Sequence, residues 1–157
     1  MNTPLSLQEH YSPNGICYGC GPKNSHGLHV RSFVKDDNTL IATWIPKQQH
    51  QAFPNVLCGG VIGTLLDCHC NWAATWFLMQ YNKTDIAPHT VTADYHIKLK
   101  RPTPIDEPVT LIATLKEIIN ERTAITYGEL ISSGKVCATC EGKFVAVNPD
   151  HPAFFGD

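Results

Sequence analysis

Cys58-Gly59-Gly60 opens an apolar segment in which Asp67 is the only carboxylate before Met79. Between Val61 and Met79 only Asp67 and the titratable His69 interrupt that segment. A charged group in apolar surroundings costs several kcal/mol unless it is paired or neutralised. An acid retained in such a place is therefore a candidate for chemistry, as a general base or a nucleophile. The glycine pair leaves bare backbone N–H groups at a helix start, where a ligand oxygen can approach them.

The rest of the helix supports a site around Asp67. At about 100° per residue, Thr64, Asp67, Asn71 and Thr75 fall within roughly 80° of one another. Such a stripe on an otherwise apolar helix lines a cavity or a subunit contact, or else marks a solvated edge. His69 lies about 160° from the stripe centre and cannot pair with Asp67, so it reads as a buried, hydrogen-bonded core histidine. His50, Gln51 and Asn55 sit in the loop feeding the helix, where side chains often line pockets. Lys98, Lys100 and Arg101 end a strand before Pro102 and suit a phosphate-bearing ligand or a solvated end. No Gly-x-Ser-x-Gly elbow, Gly-x-Gly-x-x-Gly turn or phosphate-loop lysine motif is present.

Seven cysteines, an odd count without a signal run, speak against a disulfide framework. Cys137 and Cys140 lie on an expected strand, where residues three apart face opposite sides, so they should not share a metal. Cys17 and Cys20 fall in a turn-rich segment and have the spacing to take zinc with His26 and His29. The simpler reading, cysteines in a tight packed turn, is preferred, and no metal and no cofactor are assigned.

These groups need elements to position them. The chain has 157 residues, 43% hydrophobic and 17% charged with net charge −2, which suits a single domain spanning 1–157 with a real core. Residues 1–15 form an N-terminal extension and 148–157 a tail. The absence of a basic excess argues against nucleic acid. The polar N-terminus carries no apolar signal run, and Asp67, His69, Asn71 and Thr75 break the central helix as a membrane span. The cytoplasm is the expected compartment.

Alternation predicts a hairpin of about Leu28–Val34 and Thr39–Ile45 around Asp36-Asp37-Asn38. A polar loop over 46–54 leads to a helix from Gly59 to about Met79, roughly 30 Å long. Strands follow at about Thr90–Leu99, Pro108–Ile119, Thr123–Ser132 and Lys135–Val147, with Ser133-Gly134 as a hairpin turn. A helix this apolar must be wrapped by the sheet, which gives an α+β class.

The residues quoted resemble the hotdog-fold acyl-CoA thioesterases, in particular the phenylacetyl-CoA-type branch. That family carries His-Gly-Gly ahead of an apolar helix with an acidic residue about two turns on, matched here by Cys58-Gly59-Gly60 and Asp67. Related members begin with a segment like Cys17-Tyr18-Gly19-Cys20-Gly21-Pro22-Lys23-Asn24. The strand Val91-Thr92-Ala93-Asp94-Tyr95-His96 resembles the family's strand after the helix, with Thr92 at a position where a hydroxyl assists. Cys58 replaces the usual histidine, and Ala52 stands where the family has a polar residue that Gln51 or Asn55 would replace.

The resemblance implies an antiparallel sheet around one long central helix, and a thioesterase that releases free acid and CoA. The thioester carbonyl would meet the Gly59 or Gly60 N–H, and Asp67, from the opposing protomer, would act as base or nucleophile. Asn71 and Thr92 would orient it or the water. Gln51, Asn55 and Cys58 would line the substrate site, and Lys100 and Arg101 would meet the CoA phosphates. A homodimer is the minimum assembly implied, with a homotetramer also open and the site at the subunit interface. Two other readings remain: a hotdog enoyl-CoA hydratase or dehydratase using His50 and Asp67, and a non-catalytic acyl-CoA-binding protein.

Overall fold

The computed structural model describes residues 2–154. The chain runs α1 (Leu7–Tyr11), β1 (Phe33–Asp36), β2 (Thr39–Trp44), a 3-10 turn at Gln48–His50, β3 (Gln51–Phe53), β4 (Val56–Leu57), α2 (Gly59–Asn82), β5 (Thr90–Leu99), β6 (Val109–Asn120), β7 (Thr123–Ser132) and β8 (Lys135–Ala146). Six strands form one antiparallel sheet in the order β1-β2-β6-β7-β8-β5. β3 and β4 form a separate small hairpin. The sheet packs on α2 through β5, β6, β7 and β8.

The long helix forms because its sequence offers nothing to stop it before Asn82. Lys83 then ends it in a left-handed conformation, with φ 51°. Leu65, Leu66, Ala73, Ala74 and Leu78 of α2 are fully buried against Leu111, Leu130, Ala138 and Phe144 of the sheet. Each large aliphatic buried in this way contributes about 1.5–3 kcal/mol. Alternation along β7 is strict, with every second residue buried, which fixes the register facing the helix. At the β7–β8 turn, Ser133 and Gly134 both take positive φ, 53° and 72°, as a tight hairpin of this twist requires. This is the hotdog architecture that the resemblance implied.

Three local features differ from the sequence reading. β1 starts at Phe33, because Leu28 and Val30 give their N–H groups to the carbonyls of Tyr18 and Gly19, at 2.8 and 2.9 Å, and not to β2. The loop before α2 holds the 3-10 turn and the β3–β4 hairpin, with Asn55 at φ 64°. The N-terminal extension contains α1, whose capping box is formed by Ser6 and Glu9. That Ser-x-x-Glu spacing was a readable signal.

His69 is fully buried, as expected, and has a complete set of partners. Its Nε2 faces the Leu40 carbonyl at 3.2 Å and its Nδ1 faces Ser32 Oγ at 2.8 Å. A carbonyl only accepts, so Nε2 carries the proton and the serine hydroxyl donates to Nδ1. Ser32 Oγ in turn accepts from Gln8 Nε2 at 3.0 Å, and Gln8 Oε1 accepts from the Ser32 N–H at 2.8 Å. Burial drives the His69 pKa down to about 4, which keeps the ring neutral in this chain of bonds. The relay ties α1, the segment before β1, β2 and the middle of α2 together.

Candidate active site

Midway along α2 its polar stripe faces the start of β5 across a cavity of about 430 Å³. Asp67, Asn71 and Thr75 line it from the helix, and Thr90, Val91 and Thr92 from the strand. Thr64, the fourth member of the stripe, turns away and gives its hydroxyl to the Gly60 carbonyl at 3.0 Å. The segment Gly15–Pro22 and Trp72 close other sides of the cavity.

Asp67 is half-buried, and Thr92 Oγ1 donates to its Oδ1 at 2.8 Å. Among the described residues no cation lies within ion-pair distance of it. Burial pushes its pKa above the ordinary aspartate value; the Thr92 bond opposes that shift and the neighbouring Cys17 adds to it. The outcome is a carboxylate on the cavity wall with Oδ1 anchored by Thr92 and, among the described residues, no hydrogen-bond partner on Oδ2. That is the arrangement a general base needs.

Asn71 makes no hydrogen bond to Asp67. Its Nδ2 donates to the Thr90 carbonyl at 3.2 Å and its Oδ1 accepts from Thr90 Oγ1 at 2.6 Å, with Thr75 Oγ1 2.7 Å from that same hydroxyl. Asn71 therefore fastens β5 to α2 one turn beyond Asp67, and holds Thr92 in reach through the strand.

Gly59 and Gly60 form the first turn of α2, behind Cys58 as N-cap. The Cys58 side chain makes no capping hydrogen bond, and the first intrahelical bond runs from Ile62 N to the Cys58 carbonyl. The Gly59 and Gly60 N–H groups are thus left as free donors on the positive end of the helix dipole. They do not line the cavity. Eight residues of helix separate Gly59 from Asp67, about 12 Å along the axis, too far for one carbonyl to meet both within a chain.

The remaining predicted residues gather around the start of α2. Gln51 accepts from the Asn55 N–H at 2.7 Å and donates to the Gln48 carbonyl at 2.9 Å, so these two brace the β3–β4 hairpin. Lys100 and Arg101 give their backbone N–H groups to the Cys137 carbonyl, and both side chains are exposed. Leu99, just before them, lies against Gly59, so these two cations share the glycine end of the helix. His50 lines a separate cavity of about 310 Å³ with His26, Lys47 and Val61, and its ring packs on Trp44. Within one chain His50 and Asp67 do not form a pair.

Cys68, which sequence reasoning passed over, lines the Asp67 cavity together with Cys17 and Cys20. Its signal was its place next to Asp67, one helical step from the stripe. His29, once a candidate partner of Cys17 and Cys20, instead meets the Asn24 carbonyl.

No protein-family profile matches the chain, and no curated protein does. Solved structures do. A thioesterase superfamily protein from Shewanella loihica is 28% identical over 81% of this chain and 98% of its own, with TM-score 0.65. A second thioesterase superfamily protein is 27% identical over 92% of this chain and 71% of its own, with TM-score 0.67. The E. coli PaaI protein from the phenylacetic acid degradation operon shares the fold at 19% identity and TM-score 0.60, over 77% of this chain and 81% of its own. The chain is similar to thioesterase superfamily proteins of the hotdog fold, with this PaaI-like branch among its structural neighbours. No helix of the described residues is long and apolar enough to cross a membrane.

Proposed function

We propose that this chain is an acyl-CoA thioesterase in which Asp67 is the general base. The observation that carries the reading is an unpaired carboxylate, anchored by Thr92, facing a cavity of about 430 Å³ beneath the central helix. Water beside the free Asp67 oxygen gives up its proton as it attacks the thioester carbonyl. The developing oxyanion is met by the Gly59 and Gly60 N–H groups, whose geometry favours negative charge. Collapse expels the CoA thiolate and leaves the free acid.

The 12 Å separation estimated along the helix argues that the two halves come from different protomers. β5 is one of the two edge strands of the sheet, and Tyr95 and Leu99 stand exposed on it. A ten-residue edge with unpaired backbone groups and apolar side chains is a ready pairing surface. Association there gives a homodimer in which the glycine end of one α2 serves the Asp67 of the other. Lys100 and Arg101, near that glycine end, are placed for the CoA phosphates. Gln51, Asn55 and Cys58 shape the approach to the donors.

Release of free CoA thiol from a panel of aliphatic and aromatic acyl-CoAs tests the reading directly. Turnover of at least one member supports it; tight binding with no turnover on any member favours a binding protein instead. Within the site, Thr92→Val should lower kcat about 10-fold with KM little changed, since the hydroxyl positions the base and does not hold substrate. Thr92→Ser should restore most of the rate. A Thr92→Val enzyme with unaltered kcat would leave Asp67 without its orienting partner and weaken its assignment.

A further inference from the structure

We propose that Cys17, Cys20 and Cys68 form a three-thiolate site for a zinc-type divalent cation, with its fourth position open to the cavity. The three sulfurs lie within 4.8 Å of one another. Cys17 Sγ and Cys68 Sγ are 3.8 Å apart, which matches the ~3.8 Å edge of a tetrahedron built on zinc–sulfur bonds of ~2.3 Å. Two elements distant in sequence supply the ligands, a Cys-x-x-Cys-Gly turn and the centre of α2.

The turn packs directly on α2. Gly21 N–H closes it on the Cys17 carbonyl at 2.8 Å. Gly19 is needed where the turn meets the helix, because a Cβ there would lie 2.3 Å from Cys68 Sγ. Cys20 and Cys68 are buried, while Cys17 is exposed, which leaves the sulfurs an entry path.

A soft, all-sulfur set selects zinc over magnesium or calcium. All three cysteines line the cavity, so the fourth ligand is water drawn from it. The ion staples the Gly15–Pro22 segment to α2. The site shares the Asp67 cavity, but metal binding is read without substrate, so its outcome does not depend on the role of Asp67.

Cobalt(II) titration of the reduced, chelator-treated full-length protein provides the test. The expected result is one equivalent of Co²⁺ bound, with intense thiolate-to-metal charge transfer and tetrahedral d–d bands that Zn²⁺ bleaches. Cys17→Ser and Cys68→Ser should each weaken binding by more than the ~10–100-fold that loss of an outer-shell partner costs. Cys137→Ser, on β8 outside the cluster, should bind like the parent. Circular dichroism checks folding; if Cys68→Ser is misfolded, the exposed Cys17→Ser decides. Absence of a charge-transfer band, or a band unchanged in Cys17→Ser, overturns the site and leaves cysteines that merely pack. Recovery of a Cys17–Cys68 disulfide in protein kept with excess Zn²⁺ also overturns it, in favour of a redox pair.

Discussion

Asp67→Asn should reduce kcat for acyl-CoA hydrolysis by about 10²–10⁴-fold, the range that general-base catalysis supplies. The amide is nearly isosteric, and its oxygen still accepts from Thr92 Oγ1, so cavity and helix keep their shape. What it lacks is basicity toward water. Acyl-CoA affinity should change only a few-fold. The melting temperature should hold or rise slightly, since a half-buried carboxylate without a cationic partner is replaced by a neutral group. Stopped assays of thiol release with a parallel binding isotherm separate the two effects. Full-rate hydrolysis by Asp67→Asn removes the proposed base.

His69→Leu should cost about 3 kcal/mol of stability, the largest loss expected from a single change outside the site. Leucine fills a comparable volume, but the Leu40 carbonyl and the Ser32 hydroxyl lose their partners in a place closed to water. For a chain of this size that corresponds to a drop in melting temperature of about 6–12 °C. The disruption should spread to α1, because Ser32 also holds Gln8 there. His69→Gln, which can offer a donor and an acceptor, should recover part of the loss. Calorimetry on the three proteins measures this. A leucine variant as stable as the parent would mean that the relay contributes packing alone.

Much of the architecture was legible because it is local. Apolar periodicity and the absence of breakers marked α2 from Gly59, short of its end at Asn82 only by its last turn. Alternation and turn residues gave β5 and β7 to the residue, and placed β6 and β8 within one residue at their ends. The helical angle put Asp67, Asn71 and Thr75 on one face and His69 on another, before anything was known of what each face meets.

Contacts between distant segments were a different matter. Leu28 and Val30 alternate like strand residues, yet their hydrogen bonds go to the Cys17–Cys20 turn, since a backbone group takes whichever partner the fold brings near. Thr92 meets Asp67 only because β5 lies along the helix, and Asn71 is drawn to Thr90 for the same reason. Cys68 joins Cys17 and Cys20 across a span that no local spacing encodes. Residue order settled which groups are present and which way each element turns them. Tertiary packing settled which groups meet, because proximity across the chain depends on how helix and sheet close on one another.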